Sequence, residues 1–223
     1  PYAGGAGIAI SLLYLEYVEH IHLNDLDRAV WSFWYSIINH TEDFVRMIHD
    51  TPLTVEEWRK QRALQYVKEA TNTLHLGFST FYVNRTNRSG ILRGGVIGGI
   101  KQDGKWKIDA RYNKTELIRR IEKIASYSSR ISLHNRDASN LISEVLPTLP
   151  ARSLIYLDPP YYQHGSSLYH ASYLHSDHAD IANQVNQIRQ KWIVSYDNVE
   201  PIRALYSQYR QQTFGLRYTA ARQ

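Results

Sequence analysis

The chain has 223 residues, 43% hydrophobic and 21% charged, with a formal net charge of +5 and no cysteine. That composition supports an ordinary globular core, while the absence of cysteine excludes disulfides, thiolate-held zinc and a thiol nucleophile. No apolar run nears the roughly 18 residues of a membrane span, and the ten histidines show no HExxH-like ligand spacing, so neither a membrane anchor nor a metal site is expected.

The chain opens on Pro1-Tyr2-Ala3-Gly4-Gly5-Ala6-Gly7, followed by apolar residues at 8, 9, 12, 13 and 15, a helical spacing. A glycine-rich loop feeding a helix is how α/β folds bring backbone amides up to a ligand's polar groups. Such a loop ought to follow a first strand and none precedes it here, so the sequence is expected to start just inside a domain. The run His20-Ile21-His22-Leu23 then predicts a short strand ending at Asn24-Asp25. An acid about twenty residues past a glycine loop is placed to meet ribose hydroxyls. Asp25 stands at that strand's edge, whereas Asp27 is expected to cap the helix predicted over Arg28 to Asn39.

Residues 40 to 75 read as helical, with Thr54-x-x-Glu57 resembling a capping box. From Asn84 to Lys114 eight basic residues face two acids, so this stretch carries +6 and the remainder is close to neutral at −1. Clustered positive charge is the footprint of a phosphate-backbone binder, although many proteins carry a merely solvated basic surface. Residues 96 to 108 predict a β-hairpin turning at Asp103-Gly104.

A strand-like run, Ile131-Ser132-Leu133-His134, again ends in an acid, Asp137. The most informative segment is Leu154-Ile155-Tyr156-Leu157-Asp158-Pro159-Pro160-Tyr161. Four bulky apolar residues suit a buried strand, and proline cannot continue its hydrogen-bond ladder. The chain must leave the sheet at Asp158, carrying a carboxylate and a ring to the strand's carboxyl edge, where open α/β sheets bind ligands. Pro159 also keeps Asp158 out of helical dihedrals. A stiff loop with one carboxylate, a proline carbonyl and a stacking ring suits a planar amine. The plain alternative is a proline turn with Tyr161 plugging the sheet edge, a place Tyr162 can equally take. Beyond it, a helix is predicted from about Asp177 to Gln190, a strand over Trp192 to Ser195 and a helix from Pro201 to Tyr209.

The glycine loop, Asn24-Asp25, the Asp137 edge and Asp158-Pro159-Pro160-Tyr161, in that order, resemble a Dam-type DNA adenine methyltransferase of the alpha group. Phe81-Tyr82-Val83-Asn84-Arg85 with Gly90 and Arg93 is similar to that family's segment at the DNA surface. Trp192-Ile193-Val194-Ser195-Tyr196-Asp197 is a strand-to-loop segment similar to its motif near the target base. The resemblance implies a Rossmann-like α/β methyltransferase sheet and transfer of a methyl group from S-adenosylmethionine to the N6 amine of adenine in double-stranded DNA. It further implies that Tyr2, Ala3, Gly4, Gly5, Ala6, Asp25, Asp137 and Asp158 contact the cofactor. Asp158, Pro159, Pro160 and Tyr161 would carry the chemistry, and Asn84, Arg85, Arg88, Arg93, Lys101 and Lys105 would contact DNA.

On this reading residues 1–38 and 116–223 form the catalytic domain, truncated at both ends, and 39–115 a mainly helical target-recognition insert. The setting is cytoplasmic, of bacterial or phage type, with a companion restriction endonuclease as a further partner. The sequence departs from the family in having alanine at position 6, where a glycine is usual, and in stopping at Tyr218–Gln223 before the expected last strands. Cytosine-N4 methylation, or an inactive DNA-binding remnant, is the alternative function.

Overall fold

The computed structural model describes residues 1–163 and 173–215; the Tyr218–Gln223 segment named above lies outside them. The chain forms two compact units, one of Gly5–Leu23 and Asp27–Asn135, the other of Pro1–Gly4, Asn24–Leu26 and Arg136–Gln223.

The first of these is mainly helical. Helix α1 (Gly7–Tyr14) starts after Ala6, whose φ of 46° is left-handed. Strand β1 (Ile21–Asn24) leads into α2 (Arg28–Asn39), whose bounds match the sequence expectation. Asp27 caps α2 as expected: its carboxylate accepts the Ala29 N–H at 2.9 Å and also pairs with the Lys68 ammonium at 2.6 Å. Helices α3 (Thr41–Asp50) and α4 (Val55–Leu64) fill the predicted helical stretch, and the Thr54 hydroxyl accepts the Glu57 N–H at 3.1 Å. Helix α5 (Thr73–Thr86) is buried continuously from Leu76 to Val83, which makes it the central helix of this unit. Its approach to α2 is very close. A Cβ on Gly77 would come within 2.4 Å of the Ser32 carbonyl oxygen, so only glycine fits there. Around α5 the rings of Phe44, Phe78, Phe81, Tyr82 and Tyr112 pack edge-on and tilted. Helix α6 (Lys114–Ala125), capped by Asn113, and strand β2 (Ile131–His134), paired with β1, complete the unit.

The expected hairpin over residues 96–108 is replaced by consecutive turns, tied to the end of α5 by a single antiparallel bridge, Asn87–Val96. The reason is local. Gly98 and Gly99 both take positive φ, 83° and 75°, and fold the segment back before a strand can form. Gly104 then packs on Gly98, where a Cβ would sit 3.0 Å from the Gly98 Cα.

The second unit is a small α/β arrangement. Asp137 caps α7 (Ala138–Asn140), which widens into a π-helical turn over Leu141–Val145. Strand β3 (Leu154–Leu157) is followed by α8 (His175–Val185), strand β4 (Lys191–Val194) and α9 (Glu200–Leu205). β3 and β4 run parallel in the register Leu154↔Lys191 to Leu157↔Val194, so their carboxyl ends lie side by side. The crossover between them contains α8, as a parallel pair requires. Ile155, Leu157, Ile181, Val185 and Ile202 form the core beneath this edge, and Tyr2 of the glycine segment packs against it. Among the described residues no helix is long and apolar enough to cross a membrane.

Candidate active site

The side-by-side strand ends decide the geometry. Leu157↔Val194 are the last paired residues, and the Ser195 N–H extends the ladder by one bond to the Leu157 carbonyl at 2.9 Å. The next side chains therefore meet: Ser195 Oγ donates to Asp158 Oδ1 at 2.7 Å. Tyr156 Oη lies 2.9 Å from the same Ser195 oxygen. Since the serine's one proton is committed to the carboxylate, Tyr156 is the donor to Ser195. Asp158 thus has one oxygen fixed by a two-step hydrogen-bond chain. Burial pushes its carboxyl pKa above the ordinary value, and the Ser195 hydrogen bond opposes this in part.

The prolines that follow are buried, and the turn beyond them is pinned. Asp197 accepts the Tyr162 N–H at 2.8 Å on one oxygen and the Gln163 N–H at 2.9 Å on the other. Backbone amides held by a carboxylate make a rigid turn. Of the two tyrosines after the prolines, Tyr162 packs against the core cluster and takes the plug position. Tyr161 is half-buried beside it.

Pro1–Gly4 of the glycine segment belong to the same unit and are held by a residue that the sequence did not single out for this task. Asn24, 2% exposed, donates to the carbonyls of Pro1 at 2.7 Å and Arg136 at 3.0 Å. Its own oxygen accepts the Arg136 N–H at 3.0 Å, and its carbonyl accepts the Ala3 N–H at 2.7 Å. One buried amide therefore ties the glycine segment to the turn that presents Asp137. Asp25 accepts the Gly4 N–H at 2.9 Å, and Asp137 accepts the Ser139 N–H at 2.8 Å as the cap of α7. Tyr2 reaches Tyr173 with a hydroxyl–hydroxyl separation of 3.1 Å, and burial raises the pKa of both phenols. Gly4 takes φ +45°, and a Cβ built on it or on Gly5 would meet nothing within 4 Å. The Gly4 amide thus points at the Asp25 carboxylate, with open space where a side chain at Gly4 would stand. Gly5 and Ala6 carry the loop on into α1.

The six residues expected at DNA all lie in the helical unit. Arg88, Arg93, Lys101 and Lys105 are exposed, and the Lys105 ammonium lies 5.6 Å from the centroid of the exposed Trp106 ring. Asn84 instead does local work, donating to the Gly90 carbonyl at 2.8 Å, where Gly90 takes φ +74°. Arg85 is half-buried, and burial is the largest of the causes lowering its pKa, followed by the nearby Arg111 and Arg120. Arg111, counted in the basic stretch but not among the expected DNA contacts, binds the carbonyls of Asn84 at 3.3 Å and Asn87 at 3.2 Å. Arg120 lies outside that stretch, and no local sequence signal links it to Arg85.

Two comparisons bear on this arrangement. No curated protein matches the chain. The family model described as D12 class N6 adenine-specific DNA methyltransferase matches residues 1–219, nearly the whole sequence. The chain with its Asp158–Ser195 strand edge therefore belongs to the D12 class N6 adenine-specific DNA methyltransferase family, whose members transfer methyl groups from S-adenosylmethionine to adenine in DNA.

Proposed function

We propose that Asp158, Pro159, Pro160 and Tyr161 form the pocket for the target adenine, and that Tyr2, Ala3, Gly4, Asp25, Asp137 and Asp158 hold S-adenosylmethionine. The observation that carries this is the half-engaged carboxylate. Asp158 Oδ1 is committed to Ser195, and among the described residues Oδ2 takes no hydrogen bond, which leaves it for an incoming amine. Bound S-adenosylmethionine supplies an electrophilic methyl group on a cationic sulfur.

The chain's own residues then have three tasks. Adenine's exocyclic nitrogen is a poor nucleophile because its lone pair is delocalised into the ring. Asp158 Oδ2 and the Pro159 carbonyl accept its two N–H groups and favour a pyramidal nitrogen with its lone pair directed outward. Positioning and electrostatics of this kind supply most of the rate. Asp158 is also a base to which the nitrogen can release a proton after it gains a fourth substituent. Tyr161 stacks on the base, offsetting part of the few kcal/mol spent in taking it out of the duplex.

Residues 39–115 are the target-recognition insert in this reading, with Arg85, Arg88, Arg93, Lys101 and Lys105 on DNA. Support comes from the exposure of four of these side chains and from the desolvated Arg85, which sits among cations. The lack of cysteine suits a reducing compartment. Transfer of labelled methyl groups into unmethylated double-stranded DNA, compared between the native chain and Asp158→Ala, tests the assignment. Abolished transfer is expected, and undiminished transfer rejects the pocket.

A further inference from the structure

His178 is 1% exposed, enclosed by three tyrosines, and has no part in the chemistry described so far. It lies in the first turn of α8, with the rings of Tyr162, Tyr173 and Tyr196 at centroid distances of 5.1, 5.4 and 5.5 Å. Its Nδ1 is 2.9 Å from Tyr196 Oη. Tyr196 stands between Ser195, the donor to Asp158, and Asp197, the clamp on the turn after the prolines. Tyr162 is the first residue held by that clamp. We propose that His178 is a positioning residue for methyl transfer, bracing both loops of the base pocket at once through its bond to Tyr196 and its packing on Tyr162. The proposal rests on the assignment of Asp158–Tyr161 as the catalytic loop.

The choice of residue supports it. Nε2 of His178 is buried with no hydrogen-bond partner among the described residues. Burying an unpaired polar nitrogen opposes folding, and phenylalanine would fill the same aromatic box without that cost. A polar group retained against stability is expected where its one bond orients something that function needs. That bond also sets the charge state. Burial lowers the pKa of the ring, and His175 on the same helix adds to this; Asp177 on α8 and Asp197 beyond β4 oppose it. The tyrosines packed around it contribute hydroxyls and no charge near neutral pH. An imidazolium would need an acceptor at Nε2, so the ring works neutral, and acid that charges it breaks the box.

The test compares the full chain with His178→Phe, His178→Asn, Tyr196→Phe and Asp158→Ala. Four readings are made: initial transfer rates on unmethylated double-stranded DNA, calorimetric titration with S-adenosylmethionine, thermal melts, and nitrogen NMR of the imidazoles. His178→Phe should lower kcat on the order of 10- to 100-fold, the scale of a small misplacement of reacting groups. Its melting temperature should hold or rise. Cofactor affinity should stay within about twofold, since the loss is one of alignment rather than uniform binding. His178→Asn, whose amide reaches where Nδ1 sits, should recover most of the rate. Tyr196→Phe should reproduce the defect, and the double variant should be no worse than either single one, because the two share one interaction. In the native chain the His178 ring should remain neutral at pH values where exposed histidines already titrate.

Native kcat in His178→Phe, with Asp158→Ala inactive, overturns the proposal. If His178→Phe does not fold, native kinetics in Tyr196→Phe overturn it instead. Transfer that survives in Asp158→Ala rejects the catalytic loop itself, a separate outcome.

Discussion

Ser195 donates a 2.7 Å hydrogen bond to Asp158, and the two residues meet only because β3 and β4 end in parallel register at Leu157↔Val194. The serine fixes the direction in which the carboxylate faces. It also opposes the burial that would otherwise favour the neutral acid.

Replacing Ser195 by alanine should therefore act twice. Asp158 loses its orienting donor, and the Tyr156 hydroxyl loses its acceptor. With burial unopposed, the carboxyl pKa rises further, so the acid limb of the rate profile moves to higher pH. At neutral pH the rate should fall about tenfold, the size expected from one hydrogen bond to a charged group. A profile of kcat/KM against pH checks both effects, and an unmoved acid limb would count against the Ser195–Asp158 bond as a functional contact.

Asp158→Asn separates stability from activity. A carboxyl whose folded-state pKa is raised adds stability fully below its unfolded pKa, and that stability is lost as pH rises through the folded value. At neutral pH the buried charge is thus a burden on the fold. Asparagine still accepts the Ser195 proton and removes the charge, so this variant should melt no lower than the native chain at pH ~7 and lose any advantage near pH ~3. Its transfer rate should fall by at least ~100-fold, since the general-base and electrostatic roles both go. Thermal melts at the two pH values and the labelled-methyl assay give the readouts.

Asn24→Ala should damage both fold and ligand binding. The amide makes three side-chain hydrogen bonds, two as donor and one as acceptor, at 2% exposure. Its loss leaves buried backbone groups unpaired, at about 1–3 kcal/mol for each unsatisfied group. The melting temperature should drop, and calorimetric affinity for S-adenosylmethionine should drop with it because the glycine segment is no longer tied to the Asp137 turn. A stable variant with native affinity would show that the tie is dispensable.

Much of this organisation is legible in the chain, and the gaps have definite causes. The strand at 154–157 and its exit at Asp158 follow from an apolar run stopped by proline, and α2 follows from the Asp27 cap with its apolar face. Helix α6 is legible too, since Leu117, Ile118, Ile121 and Ile124 have helical spacing, although the basic run leading into it is the stronger local signal. The hairpin expected at 96–108 rested on Asp103-Gly104, and the backbone dihedrals of Gly98 and Gly99 outweighed that local signal. Asn24 is a different matter. Its role is defined by a partner far along the chain, Arg136, and a buried polar residue leaves no periodic trace for a sequence pattern to catch, whereas Ser195 is legible as part of a motif but its bond to Asp158 follows only from the strand register.

The last prediction concerns Arg85. Arg85 is half-buried, and after burial the charged neighbours that lower its pKa are Arg111 and Arg120. In the free protein such a site is electrostatically unfavourable, and an anion such as a DNA phosphate relieves it. Arg85→Gln should leave the free protein as stable as before, or slightly more so, because it removes both desolvation and like-charge repulsion. DNA binding should weaken by a similar factor for all sequences, and the dependence of log K on log salt should become shallower by about one. Arg85→Lys should keep the salt slope while losing affinity, since a point charge replaces a planar fork. Affinities measured by fluorescence anisotropy from ~50 to ~200 mM salt provide the comparison. A slope that does not change in Arg85→Gln would remove Arg85 from the phosphate-contacting set and leave the exposed Arg88, Arg93, Lys101 and Lys105 to supply it.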